Sequence, residues 1–87
     1  MKTIYKYPIP VIDGWQEFDL PECADLVHFA TDPIGALCMW AEIDTLAPTE
    51  VRRFCIVGTG HPIPDGAKHM GAAIQGPFVW HLYESVL

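Results

Sequence analysis

Positive charge is scarce in this chain: five Lys and Arg stand against eleven Asp and Glu, a formal net charge of −6 over 87 residues. Proteins that follow nucleic-acid phosphates draw their affinity from clustered Lys and Arg, so direct nucleic-acid binding is not expected. Cysteine is also sparse. Cys23, Cys38 and Cys55 are an odd number at wide spacing with no C-x-x-C pair, which removes the compact zinc modules. They read as reduced thiols in a cytoplasm, each behaving as a small apolar side chain. Serine occurs once, at Ser85, so there is no G-x-S-x-G nucleophile elbow. No apolar run approaches a membrane span. Met1-Lys2-Thr3 leads straight into an alternating strand rather than a signal peptide. Missing too is any window of helical period with caps that lasts three turns.

What is present is apolar. Hydrophobic residues make up 51% of the chain and charged residues only 18%, respectively above and below the usual averages. A single domain of this length buries roughly 60% of its unfolded surface, so its core is marginal without help. A domain this small cannot hide so much apolar surface, Trp15, Trp40 and Trp80 included. An interface with another copy of the chain or with a partner is therefore expected.

Strand patterns recur at short intervals. Thr3 to Tyr7 is rich in β-branched and aromatic residues and stops at Pro8 and Pro10. After Asp13-Gly14, Trp15 to Leu20 alternates, with Phe18 and Leu20 on one face and Glu17 and Asp19 on the other. Leu26–Thr31 and Ala36–Asp44 flank Asp32-Pro33-Ile34-Gly35 and form the clearest hairpin. Val51–Val57 carries Arg52, Phe54 and Ile56 against Arg53, Cys55 and Val57. His69–Ile74 is a weak strand because of Gly71 and two alanines, and Phe78–Ser85 alternates well. One helical turn fits around Pro21-Glu22-Cys23-Ala24. The pattern predicts a single all-β domain over residues 1–87, a small antiparallel sandwich or open barrel of six to seven short strands.

Three landmarks together carry a resemblance: Lys2-Thr3-Ile4-Tyr5-Lys6-Tyr7-Pro8, Gly58-Thr59-Gly60-His61, and Phe78-Val79-Trp80-His81-Leu82-Tyr83-Glu84. The chain resembles a family of small bacteriophage and prophage proteins that carry a domain of unknown function. The resemblance implies a phage accessory protein in the cytoplasm of a bacterial host, and it carries over no activity and no catalytic residues.

Chemistry-bearing residues are dispersed. His28, His61, His69 and His81 show none of the compact spacings of a metal site. Only a cross-strand assembly of His61, His69 and a cysteine would make one. Cys55 lies in an apolar strand, where a thiol is inert. No nucleophile, base and orienter stand together, so the expectation is a non-enzymatic protein without a cofactor or metal.

The corner at Gly58, Thr59, Gly60 and His61 is the candidate binding element. Its glycines mark either a bend or a close approach, and its N–H groups suit an anion nest. Arg52 and Arg53 precede it on opposite faces, so at most one joins a given site, and Arg53 is the one assigned here. The functional expectation is a homo-oligomeric binding protein, in the sharper form an inhibitor of a host immune protein or a trap for a small anionic nucleotide signal. A small virion or assembly protein is the principal alternative, and a small metal-assisted enzyme using His61, His69 and a cysteine is the lesser one.

Overall fold

The structure, a computed structural model, describes residues 1–87. Seven strands follow one another: β1 (Lys2–Pro8), β2 (Gln16–Pro21), β3 (Asp25–Thr31), β4 (Leu37–Asp44), β5 (Thr49–Gly58), β6 (Ala67–Gln75) and β7 (Phe78–Ser85). They form two antiparallel sheets, ordered β1-β4-β3 and β2-β5-β7-β6. There is no helix, so none is long and apolar enough to cross a membrane.

Alternation along the strands builds the core. Leu37, Met39, Ala41 and Ile43 of β4 face inward and are buried. Leu20 of β2, Phe54 of β5, Leu82 of β7 and Ala73 of β6 meet them from the other sheet, with Phe29 of β3 at the side where β3 lies against β6. Phe18 meets Phe54 edge-on, with ring centroids 5.9 Å apart. The result is a small β-sandwich.

The predicted hairpin is β3–β4, with Thr31 opposite Leu37. Its turn is organised by the buried Asp32 carboxylate. Oδ1 accepts from the Ile34 and Ala36 N–H groups at 3.1 and 2.9 Å, and Oδ2 accepts from the Lys6 ammonium at 3.0 Å. The Cys38 thiol also points at Oδ2, 3.7 Å away. The Lys6 ammonium, helped by the two N–H groups and opposed by burial, holds the Asp32 carboxyl below the usual carboxylate range. A carboxyl with a depressed folded pKa stabilises above its unfolded pKa of about 3.9, and that contribution is lost as pH falls through the folded value. Asp32→Asn is therefore expected to cost stability at neutral pH and to flatten the acid limb of the stability curve below about pH 4. Urea midpoints measured from pH 2 to 7 check this, and an acid limb as steep as the parent's would contradict it.

Two details depart from the sequence expectation. Pro21–Ala24 is a β-turn closed by the Ala24 N–H on the Pro21 carbonyl at 3.1 Å, not a helical turn, and Cys23 there has φ of 62°. The weak segment around Gly71 is a full nine-residue strand, β6. Its small residues serve packing: a Cβ at Gly71 would already touch Phe29 at 3.5 Å, so the side of the sandwich between β6 and β3 closes around them.

Connectivity fixes the site. Both β5 and β6 run antiparallel to β7, which lies between them, so they are parallel to each other. Gly58 ends level with Trp80 and Ala67 begins level with Ser85. The connection 59–66 must travel back by five residues of β7, about 17 Å. It crosses the outer face of this sheet, where Pro62 and Pro64 share a groove with Cys55 and Val57. That cover explains why Cys55 and Val57 are buried although they point away from the core. Burial raises the Cys55 thiol pKa, in keeping with an inert cysteine, and all three cysteines are free.

Candidate functional site

The corner after β5 is a β-turn. The His61 N–H donates to the Gly58 carbonyl at 3.0 Å, and Gly60, third of the four residues, has φ of +87°. Positive φ at that position defines type II geometry and selects glycine. Gly58 is needed for a different reason. A Cβ there would stand 3.0 Å from His61 Nδ1 and 3.3 Å from Trp80 Cζ3. The first glycine thus admits two rings and the second admits the bend.

Turn closure also bears on anion binding. The His61 N–H is spent within the turn, leaving those of Thr59 and Gly60. Arg53 lies five residues back along β5, about 16 Å away, where its guanidinium meets Glu17 at 3.2 Å on the outer face. Arg52, on the inner face, is held by both oxygens of Glu84 at 2.6 and 2.8 Å and by the Ala24 carbonyl at 2.6 Å. The structure therefore brings Gly58, Thr59, Gly60 and His61 together and leaves Arg53 apart from them. The groove between the corner and the outer face of β7 is lined by Val57, Ile63, His81 and Tyr83 beside the turn residues and carries no Lys or Arg.

A set of side chains that the sequence did not put together lies beside the turn. His81 of β7 and His69 of β6 are diagonal neighbours on the outer face, because His69 pairs with Tyr83 and a bulge follows it before Gly71. His69 Nε2 and His81 Nδ1 are 3.2 Å apart. The other nitrogen of His81, Nε2, lies 3.4 Å from the Thr59 hydroxyl, which in turn reaches the Val79 carbonyl at 3.4 Å. A carbonyl only accepts, so a Thr59 hydroxyl that donates to Val79 accepts from His81 Nε2–H. His69 also stands edge-on to Tyr83, centroids 5.2 Å apart. His61 takes no part in this pair: its ring lies against Gly58. No group of three His, Cys, Asp or Glu side chains converges anywhere. The chemistry-bearing side chain that His69 meets on the diagonal is thus His81, not His61 or a cysteine. Only the register, with its bulge, could have disclosed this, and register is not written in local alternation.

On the other side of the turn is an apolar shelf. Phe78 stacks on Trp80 with centroids 5.4 Å apart, and the Trp80 indole N–H donates to Gln75 Oε1 at 3.0 Å. Pro77, Phe78, Val79 and Trp80 line a groove of about 290 Å³ with Gly58, Thr59 and His61. Phe78 is 56% exposed and Ile74, on the same hairpin, 72%.

A family model described as Domain of unknown function (DUF7352) matches residues 1–87. No curated protein and no solved structure matches the chain.

Proposed function

We propose that this chain, which belongs to the DUF7352 family, is a non-enzymatic binding protein whose contact surface is the β6–β7 hairpin and the adjoining Gly58–His61 turn. The observation that carries this reading is the apolar shelf. Phe78, exposed on one face of the hairpin tip, is stacked on Trp80 beside a turn shaped by two glycines. The cross-strand pair Ile74 and Val79 is exposed on the other face, so the tip is apolar on both sides. Exposed apolar residues scattered singly are ordinary, but clustered aromatic and aliphatic ones mark interaction surfaces. The rigid hairpin presents them at little entropic cost to binding.

A protein partner suits this surface better than an enclosed small molecule. The grooves flanking the turn measure about 150 and 290 Å³, below the usual range for ligand pockets of roughly 300–1,000 Å³. The nucleotide-trap version has less behind it, since both arginines are engaged by carboxylates away from the turn. The partner is a second copy of the chain, a bacterial host protein, or both in turn. The phage setting is supported by the three sequence motifs. Within it the protein acts as an accessory factor in the host cytoplasm, and inhibition of a host immune protein is the form we favour.

Native mass spectrometry of protein purified from phage-infected bacteria tests the reading. Retention of a second chain or a stoichiometric host protein is expected, with loss on Phe78→Asp. A bare monomer from infected cells, or retention that ignores Phe78→Asp, would overturn it.

A further inference from the structure

We infer that His69 and His81 form a binding site for a borderline divalent transition-metal ion such as Zn²⁺ or Cu²⁺, held between His69 Nε2 and His81 Nδ1. The inference does not rest on the proposed partner surface, although its residues lie on the same two strands and turn. Its first support is separation. Two nitrogens bound at 2.0–2.1 Å to a tetrahedral ion stand about 3.3–3.4 Å apart, and the two ring nitrogens here are already 3.2 Å apart. The separation already matches, and each ring has to turn from facing the other to aim its lone pair at the ion between them.

Its second support is the tautomer. With the Thr59 hydroxyl donating a hydrogen bond to the Val79 carbonyl, its oxygen accepts one from His81 Nε2–H. That leaves the Nδ1 lone pair of His81 facing His69. A histidine ligand whose other nitrogen donates to a fixed acceptor is the usual arrangement around a bound metal, because it sets ring orientation and raises basicity. In the metal-free protein, a proton on His69 Nε2 bridges the two rings. The ion displaces that proton, and His69 takes its Nδ1–H form.

Position and charge complete the argument. The pair sits on two hydrogen-bonded strands of one sheet, with His69 beside a bulge, so both backbones belong to the sheet rather than to a loop. His69 is exposed, which leaves the remaining coordination positions to water. The adjoining groove carries no Lys or Arg, and the chain's net charge of −6 favours cations generally. Two imidazoles with water suit Zn²⁺, Cu²⁺ or Ni²⁺ and do not suit Ca²⁺ or Mg²⁺, which take oxygen ligands. With no third side-chain ligand, the site is an exchangeable one and not a structural zinc centre.

Titration calorimetry of tag-free protein with ZnCl₂, CuCl₂ and CaCl₂ tests the assignment. The expected result is one Zn²⁺ or Cu²⁺ per chain and no heat from Ca²⁺. His69→Ala and His81→Ala should each weaken binding at least about tenfold, and Thr59→Val, which frees the tautomer, by about tenfold. His28→Ala, on the other sheet against Trp40, should bind as the parent does. Nitrogen-detected spectra of the parent protein supply a readout without substitution, in which Zn²⁺ moves the His69 Nε2 and His81 Nδ1 resonances. Absence of Zn²⁺ and Cu²⁺ binding, or binding that survives loss of either histidine, would overturn the site.

Discussion

Replacing Phe54 by alanine is expected to lower the unfolding free energy by about 3–5 kcal/mol. Phe54 is fully buried, its ring meets Phe18 edge-on, and the Arg52 guanidinium lies 5.6 Å from its centroid. Removing it deletes the largest fully buried side chain and leaves a cavity between two sheets that cannot collapse far. Small domains hold only about 5–15 kcal/mol in total, so the variant should show either a melting temperature lower by at least about 12 °C or no cooperative transition. Val51→Ala, on the exposed side of the same strand, should stay within about 0.5 kcal/mol of the parent. Urea denaturation of the three proteins checks the pair, and a Phe54→Ala loss under 1 kcal/mol would contradict the packing described.

The second large effect lies at Arg52. Its guanidinium holds Glu84 with two hydrogen bonds and the Ala24 carbonyl with a third, and the two side chains are only 17% and 16% exposed. Arg52→Met leaves the Glu84 carboxylate partly buried without its partner. Breaking a buried pair from one side costs about 3–5 kcal/mol, and the residual exposure moves this case toward about 3 kcal/mol. The double variant Arg52→Met/Glu84→Leu should recover most of that loss, since an apolar pair of similar volume replaces the ion pair without a stranded charge. Urea titrations of both variants test this. A double variant as unstable as the single one would show that the loss comes from packing or from the Ala24 carbonyl.

The fold was legible wherever a strand carried its own alternation. Phe18 and Leu20 point inward against Glu17 and Asp19, and β4 buries Leu37, Met39, Ala41 and Ile43 as its pattern requires. Legibility ended where tertiary contacts override local pattern. Gly71 and its alanine neighbours weaken a strand by propensity, yet small residues there let β6 pack against Phe29. The buried outer-face positions Cys55 and Val57 follow from the crossing segment 59–66, which alternation cannot reveal.

The site divides in the same way. The two glycines of the turn were readable, because one takes positive φ and the other stands where a side chain would meet two rings. Arg53 belongs to a different part of the face, paired with Glu17, because strand rise separates it from the turn. Asp32 read as an ordinary turn residue and turns out to organise four contacts, with Lys6 reaching it from β1, 26 positions earlier. His69 and His81 meet only because of a bulge.

The central claim is that the exposed β6–β7 hairpin is a contact surface, and self-association tests it most directly. Light scattering across a concentration series should give the parent protein a molar mass at a multiple of its 9.7 kDa chain mass. The Ile74→Lys/Phe78→Asp variant should return to the chain mass while keeping the parent's urea midpoint, both side chains being exposed. A parent protein that stays at the chain mass throughout, or a variant that assembles as the parent does, would contradict a self-associating surface there.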